Sequence, residues 1–387
     1  MPKNKKDKLF QLIESGRKTE FDRREFTKLL GASGLMLGTG FAGSAIFGSV
    51  KPAAAAATQV RFDGWGGAVS DALKKYVFDP YTKATGVQVV AGTFGDEEEV
   101  FAKMRAGAIG EYNTLASSGP VSYKRWADLG LAQGLDESKV PNLKYASKPA
   151  LQAYRKITPD YLACVPFDYG TNGIAYNTTK ISKEEAEAQG AMLLLDKALK
   201  GRMSGWANWK MRVWMGSLQT NQDPNNATDM DAVWAKAREH RDLVLKYFTS
   251  GAEQMDLLSR GEVCVSDAWS GRVARLQEQG VPVGYFDPKN GFGWLEHVQV
   301  LKGSPSPEVE EMVNFILDPE AAMGIADAQK YPPLLDPTMV SVTPAVQALP
   351  GFDPTGTFSS LVFENPDYWS SHEADYRAEW SKIEKGG

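Results

Sequence analysis

Residues 161–177 read YLACVPFDYGTNGIAYN, and this stretch decides the fold that the sequence predicts. Apolar and aromatic residues at both of its ends are typical of strands. The glycine-bearing segment between them, around Gly170, predicts a break in the chain direction. A strand, a break and a second strand suit a chain that passes from one domain into the next.

A second stretch of the same kind strengthens the prediction of two domains. Residues 281–301 read VPVGYFDPKNGFGWLEHVQVL, with proline and glycine at Asp287–Gly293. Two α/β lobes joined by more than one crossing form a cleft that can close by hinge motion. A chain of 387 residues is also long for a single core. We expect lobe 1 to hold residues 58–171 and 293–328, and lobe 2 to hold 172–292 and 329–387.

Strand and helix patterns alternate along the predicted first lobe. VQVVAGTF at 87–94 has the composition of a strand, and DEEEVFAKMRAG at 96–107 predicts a helix with acids in its first turn. This alternation predicts an α/β fold in which each lobe is a mixed, mostly parallel sheet flanked by helices. Ligands of such sheets bind beyond the carboxyl ends of the strands, where Trp65, Asp96 and Ser118 stand.

The second half of the chain follows a similar pattern. Helical spacing predicts helices near 209–220 and 231–248, and a helical pair within 306–333. The remainder, to Gly387, is rich in loop residues and should end in a short helix that carries Trp380.

The first 57 residues differ in charge from the rest of the chain. They carry a net charge near +5, whereas the whole chain carries −5, so the remainder is acidic and argues against a nucleic-acid partner. Arg23-Arg24 and Lys28 precede an uncharged run, Leu29–Val50, and Ala55-Ala56-Ala57 fits a cleavage site. This pattern resembles a twin-arginine export signal and predicts a periplasmic protein. An uncleaved anchor and an ordinary secretory signal are the alternatives.

Residues typical of catalysis are scarce. The three histidines, His240, His297 and His372, lack metal-ligand spacing, and no nucleophile elbow or phosphate loop is present. The sequence therefore predicts no catalytic residue, no metal and no cofactor. Cys164 and Cys264 each lie in an apolar run, which favours two buried free thiols and leaves a disulfide open.

Aromatic residues are the main candidates for a binding site. Several stand at predicted strand ends or in loops, where aromatic walls can hold a small organic solute. Core or hinge packing is the alternative for any one of them. They are Trp65, Tyr169, Trp206, Trp269 and Trp294.

Three segments in order resemble the periplasmic polyamine-binding proteins of ABC importers, the spermidine/putrescine family. They are PFDYGTNGIAYN at 166–177, GEVCVSDAWSGR at 261–272 and PKNGFGWLE at 288–296. The resemblance implies a two-lobe periplasmic-binding-protein fold, a small amine-containing ligand and docking on a membrane permease. It also implies that Glu296 receives an amine and that aromatic walls come from Trp65, Tyr169, Trp269 and Trp294.

Two positions depart from that family. Arg272 stands where a diamine-binding member carries an acid, and a second acid is replaced around Lys210 or Met211. An arginine beside a ligand ammonium is unfavourable in a closed cleft, whereas its guanidinium can grip a carboxylate with two hydrogen bonds. Together with Glu296, this suggests a zwitterionic solute, such as an amino-acid derivative or an opine-type conjugate, with polar edge contacts from Asp96 and Ser118. Alternatively, Arg272 pairs with a protein acid such as Asp96 or Asp267.

We therefore expect a monomeric solute-binding component of an ABC importer. A sensor or chemoreceptor partner on the same fold is one alternative, and an exported cofactor-dependent enzyme is another.

Overall fold

The computed structural model describes residues 59–94, 96–358 and 361–386. The predicted signal peptide, 1–57, lies outside these residues. The strands within them are β1 Gln59–Gly64, β2 Gln88–Thr93, β3 Thr114–Ser118, β4 Cys164–Asn177, β5 Met203–Trp206, β6 Val244–Phe248, β7 Val265–Trp269, β8 Val283–Phe286 and β9 Phe292–Val300.

Helices surround these strands. The α-helices are α1 Gly67–Leu73, α2 Asp79–Thr85, α3 Glu98–Arg105, α4 Gly119–Asp128, α5 Lys148–Arg155, α6 Lys183–Gln189, α7 Trp209–Gln219, α8 Met230–Leu243, α9 Gly251–Ser259, α10 Ser270–Glu278, α11 Glu308–Ile316, α12 Pro319–Gln329, α13 Pro344–Gln347 and α14 Pro366–Glu384. A π-helical turn, Lys74–Phe78, joins α1 to α2, and short 3-10 helices occupy Glu137–Lys139, Pro141–Tyr145, Gly190–Leu195 and Lys197–Leu199.

The strands form one mixed sheet in the order β2-β1-β3-β9-β4-β7-β5-β6, and β8 pairs with β4. The α/β fold class is confirmed. The mixed sheet is confirmed as well: among the described residues, four strand pairs are parallel and four are antiparallel, so parallel pairs do not outnumber antiparallel ones in the sheet as a whole. All four antiparallel pairs involve β4 or β9, whose chain direction opposes the strands beside them.

β4 is a single strand of 14 residues, so the predicted break around Gly170 is wrong. Its pairing with β9 shifts register between Pro166 and Tyr169, but the strand continues. Gly170 is required because a side chain would not fit there, and not because the chain turns. A Cβ atom there would lie 2.5 Å from Trp294 Cζ2 and 2.9 Å from Tyr331 Cδ1. The second predicted break, at Asp287–Gly293, is confirmed between β8 and β9.

Two helix predictions differ from the structure. The segment 231–248 divides at Leu243 into α8 and β6, because the run VLKYF is extended and pairs with β5. The C-terminal helix α14 has 19 residues rather than being short. It buries Trp369, Tyr376 and Trp380 in the same apolar cluster as Trp214 of α7.

Capping side chains define where the helices beside the candidate site begin. Asn208 accepts a hydrogen bond from the amide of Lys210 at 2.8 Å, and Ser250 accepts from the amide of Glu253 at 3.2 Å. Such side chains satisfy amides that a helix leaves unpaired at its first turn. They fix the first residues of α7 and α9, and so the direction in which Lys210 leaves its helix.

The described residues belong to one compact unit with several apolar clusters. One cluster packs α1, α11 and α12 against β1, and another packs α7, α8 and α14 against β4. The lobe boundaries predicted from the sequence stay a prediction. None of the helices in these residues is both long and apolar enough to cross a bilayer.

The two cysteines are buried and free, as the sequence favoured. Cys164 begins β4, whereas the Cys264 carbonyl accepts a hydrogen bond from the amide of Asn177, at the other end of the same strand. A strand of this length spans about 40 Å at about 3.3 Å per residue. The two thiols therefore lie far beyond disulfide distance.

Candidate functional site

One face of the central strands carries most of the candidate residues. Gly170 of β4 pairs with Trp294 of β9, and Asn172 pairs with Trp269 of β7. Residues directly opposite in neighbouring strands present their side chains on the same face of a sheet. Glu296 follows Trp294 by two residues on that face and pairs with Ser118 at the end of β3. We call this face of β3, β4, β7 and β9 the site face.

Aromatic rings line the site face. Trp294 meets Tyr331 edge to face, with ring centroids 4.8 Å apart. Tyr331 also rests on Gly271, where a Cβ atom would lie 2.5 Å from its ring. Trp269 packs against Trp206 with centroids 4.8 Å apart, so its ring is held in place by a neighbouring ring.

Three carboxyl groups form what we call the acidic group: Glu97, Asp168 and Glu296. Glu97 accepts hydrogen bonds from the hydroxyls of Ser117 at 2.7 Å and Ser122 at 2.5 Å. Asp168 accepts a short hydrogen bond from the Gln329 amide. The three are not placed as a metal site, since no three His, Cys, Asp or Glu side chains of the described residues could hold a metal ion.

The acidic group is held in an environment that disfavours its charge. Burial, more than any other cause, raises the pKa of Asp168 to about 7. Burial and the nearby charges of Asp168 and Glu97 raise the pKa of Glu296 well above its usual range. Burial also raises the pKa of Glu97, although its serine partners oppose the shift. Glu97 and Glu296 keep partial solvent access, but protein atoms surround both carboxyls. Perturbed carboxyls of this kind are typical of functional sites.

Arg272 is the cation that faces this group. It lies in the first turn of α10 and makes no ion pair within the described part of the chain. Its Nε atom lies close to Gly251, the first residue of α9, where a Cβ atom would be only 2.6 Å away. The Arg272 charge lowers the pKa of Glu296, against the larger effects that raise it, so the two side chains are electrostatic neighbours.

Within the described residues, Arg272 pairs with neither of the two acids named as its alternative partners. Asp267 is buried against Arg212, to which it is joined by a short ion pair, and it accepts the Trp206 amide at 2.9 Å. Asp96 is exposed and accepts the amide of Glu98 at 2.9 Å, as a residue at a helix start does.

Lys210 of α7 provides a second cation at the edge of the site. Its ammonium lies 2.8 Å from Glu364, and their side chains are 23% and 8% exposed. The Lys210 charge lowers the pKa of Glu97, against the larger effect of burial. The sequence indicated that an acid is replaced around Lys210 or Met211, and the structure places there a lysine whose charge acts on the acidic group.

Several polar atoms at or near the site face are buried without a hydrogen-bond partner among the residues that the structure describes. They include both amide atoms of Asn172, Oδ1 of Asp168 and the indole nitrogens of Trp65 and Trp294. The Trp65 N–H is near enough to lower the pKa of Glu296 but does not reach hydrogen-bond geometry. Unpaired buried polar groups are costly, and several of them are concentrated at this surface.

The structure brings together six of the eight predicted site residues and separates two. Tyr169 lies on the opposite face of β4, where its ring packs on Phe358 at 4.8 Å and its hydroxyl accepts the Asp353 amide. Asp96 is exposed in the turn that precedes α3, and Glu97 takes the position expected for it. The residues near the site face are Trp65, Ser118, Trp269, Arg272, Trp294 and Glu296.

The sequence prediction missed four residues of this surface: Glu97, Asp168, Asn172 and Tyr331. Asp168 and Asn172 lie two residues on either side of Gly170, so strand alternation was the available signal for both. Glu97 follows Asp96 at a helix start, where acids are common for reasons unrelated to ligands.

Comparison with known proteins defines the class of protein to which the chain belongs. The family profile of the bacterial extracellular solute-binding proteins matches residues 77–353, and the chain belongs to that family. The family is one of transport proteins that bind small solutes, not an enzyme family.

Individual relatives resemble nearly the whole described chain. A putrescine-binding periplasmic protein of Pseudomonas aeruginosa is 25% identical over 338 residues, which cover 82% of this chain and 90% of the relative. The crystal structure of an ABC transporter substrate-binding protein from Bradyrhizobium japonicum has a TM-score of 0.71 at 21% identity, covering 84% of this chain and 99% of that one. An A. tumefaciens R10 binding protein in complex with agropinic acid has a TM-score of 0.69 at 20% identity, covering 85% and 99%.

Proposed function

We propose that this protein is the periplasmic binding component of an ABC importer for a small solute that carries both an ammonium group and a carboxylate. The observation that carries the proposal is the opposition of an unpaired Arg272 to the acidic group across one aromatic surface. An ammonium chain alone would leave Arg272 against a like charge, and a dicarboxylate would meet three acids. A ligand with both signs satisfies both ends.

The ammonium end is assigned to the acidic group. Glu296 is the central acceptor, since Asp168, Glu97 and Arg272 all act on its pKa. Trp65, Trp269 and Trp294 provide the apolar walls, and rings of this kind also attract cations through their faces. Ser118, which pairs with Glu296, supplies a polar edge contact.

The carboxylate end is assigned to Arg272. Its guanidinium can form two parallel hydrogen bonds to a carboxylate. The amino-terminal ends of α9 and α10 meet beside it, and helix amino termini favour a negative charge. The orphaned amide of Asn172 can donate to or accept from the ligand between the two ends.

The relatives support both the ammonium group and the carboxylate of the proposed ligand. Some are named for putrescine, which supplies amines, and one solved neighbour holds agropinic acid. We further propose that the protein acts as a monomer, is exported by the twin-arginine pathway, docks on a membrane permease and has no catalysis of its own. A sensory role for the same binding site is the alternative.

A matched pair of solutes tests the ligand class. Putrescine and 4-aminobutyrate have the same carbon chain and differ in one terminal group. We expect calorimetry, preceded by a thermal-shift screen of longer amine–carboxylate compounds, to show that compounds of mixed charge bind more tightly than diamines or dicarboxylates of equal length. Tighter binding of diamines by the wild-type protein would refute the proposal.

The variant Arg272→Met should lose at least about tenfold in affinity for the mixed-charge solute, since a charged hydrogen bond contributes about 1.5–3 kcal/mol. Arg260→Met is the control, because Arg260 ends the neighbouring helix α9 and its side chain is 60% exposed. Equal effects of the two substitutions would contradict the role given to Arg272.

A further inference from the structure

The turn from β3 into α4 is a meeting point of three carboxyl groups from distant parts of the chain. Glu97 binds the hydroxyls of Ser117 and Ser122. Glu296 pairs with Ser118 across the sheet. Glu364 approaches Gly119, where a Cβ atom would lie 3.3 Å from Glu364 Oε2. These contacts all fall within residues 117–122, which concentrates negative charge at one edge of the site face.

Lys210 is a protein cation that reaches this turn. Its ammonium lies 2.8 Å from Glu364 Oε1, at ion-pair distance, although the geometry is not that of a hydrogen bond. Its charge also acts on Glu97. The Glu364 side chain is only 8% exposed, so this carboxylate depends on Lys210 for a counter-charge.

The backbone of Lys210 is held independently of its ammonium. Its amide is bound by the Asn208 side chain, which begins α7, and its ammonium stands 5.7 Å from the Trp209 ring. The side chain can therefore change its charge without loss of the helix start. A role of Lys210 in ligand selection can therefore be tested separately from a role in stabilising the fold.

We infer that Lys210 determines specificity by acting as a built-in ammonium, which occupies the place beside Glu364 and Glu97 that a second ligand ammonium would take. The site then accepts one ligand ammonium, at Glu296, and rejects diamines. This inference rests on the proposed binding of a solute at the site face. It adds a second barrier to diamines, beside that of Arg272.

Removal of the lysine charge tests the inference. Lys210→Met should increase the affinity for putrescine by about tenfold or more, because a ligand ammonium would replace a protein cation near two acids at an effective dielectric of about 20. The affinity for 4-aminobutyrate should change by less than about threefold, because its single ammonium is bound at Glu296, a carboxyl influenced mainly by burial, Asp168, Glu97 and Arg272 rather than by Lys210. Lys210→Arg keeps the charge and should behave as wild type towards both solutes.

A second variant guards against a purely structural effect. Lys210→Met leaves Glu364 buried without a counter-charge, and Lys210→Met combined with Glu364→Gln removes that problem. The double variant should melt as wild type does and should lose most of the gain in putrescine affinity. An unchanged putrescine affinity in the folded Lys210→Met protein would overturn the inference, as would an equal gain for both solutes.

These outcomes are separable from those that test the proposed function. The relative affinity of the wild-type protein for putrescine and 4-aminobutyrate decides whether the ligand carries a carboxylate. The change in putrescine affinity between wild type and Lys210→Met decides the role of Lys210, whichever solute the wild-type protein prefers.

Discussion

Asp168 and Glu296 illustrate how burial disfavours the charge of single residues of the site face. Asp168 has one hydrogen-bond partner, Gln329, and its second oxygen has none. Its pKa of about 7 means that a proton occupies this carboxyl in a large share of unliganded molecules at neutral pH. A bound ammonium would favour the charged forms of both acids and displace protons.

Affinity for an amine-bearing solute should therefore depend on pH. Because the raised pKa values belong to the unliganded site, the proton must leave before the ammonium is bound. Affinity should fall as the pH decreases through about 7, by up to about tenfold per pH unit for each proton released. Calorimetry at about pH 8 and about pH 5.5, in buffers of different ionisation enthalpy, measures both the affinity and the protons released.

The variant Asp168→Asn removes one titrating carboxyl while keeping its shape. It should flatten the pH dependence and reduce the number of protons released. Equal wild-type affinities at the two pH values would show that these carboxyls do not change protonation on binding.

The single-residue differences between prediction and structure have physical causes. Trp269 and Trp294 were predicted from strand ends and loops, Glu296 from the resemblance to polyamine-binding proteins, and Arg272 from its departure from that family. Tyr169 was misplaced because the register shift after Pro166 decides which face each following residue takes. Composition does not encode that shift.

At the scale of elements, β4 and β8 are joined by a hydrogen-bond network on the face opposite the site face. The Tyr285 hydroxyl accepts from the Gly173 amide at 2.7 Å, donates to Asp287 at 2.9 Å and lies 2.7 Å from Thr171 Oγ1. The same threonine donates to Asp287 at 3.1 Å. One hydroxyl thus ties the middle of β4 to the segment that leads into β9.

Removing that hydroxyl should weaken the junction. Tyr285→Phe leaves the Gly173 amide and one Asp287 oxygen without this partner, which we expect to lower the free energy of unfolding by about 1–3 kcal/mol. Tyr81→Phe is a matched control that loses a single bond, to the Glu308 carbonyl, and should cost about 1 kcal/mol. Urea unfolding followed by tryptophan fluorescence measures both, and a smaller loss for Tyr285→Phe would contradict the importance of the network.

Elements were predictable where periodicity was long and uninterrupted. The helical pair α11 and α12 and the strand–break–strand of β8 and β9 follow from the sequence. The continuity of β4 through Gly170 could not be predicted, because the need for that glycine comes from Trp294 and Tyr331, more than a hundred residues away. The end of α8 at Leu243 depends likewise on the pairing of β6 with β5.

At the scale of the whole molecule, the buried thiols report on how far the described chain unfolds as one unit. Cys164 packs with Tyr123 and Leu162, whereas Cys264 packs with Val265 and Trp214. Both thiols are at most 1% exposed. A compact unit linked by one continuous sheet should release them together.

We therefore expect a thiol reagent to modify neither cysteine in the native protein and both within the same denaturant transition. Mass spectrometry assigns the modified residue at each denaturant concentration. Modification of Cys264 well before Cys164 would show that the two ends of β4 unfold separately, and so that the predicted lobes have independent stability.

The continuity of β4 has a consequence for how such a protein can diversify. Gly170 and Asn172 lie on the site face, while Tyr169, Thr171 and Gly173 lie on the opposite face of the sheet. Residues of the site face and residues that pack behind it thus alternate along one strand. Substitutions can alter the site face and the packing behind it separately. An insertion or deletion of one residue, however, would move the residues of each face to the other. New cargo is therefore more readily acquired by point substitution than by a change in the length of this strand.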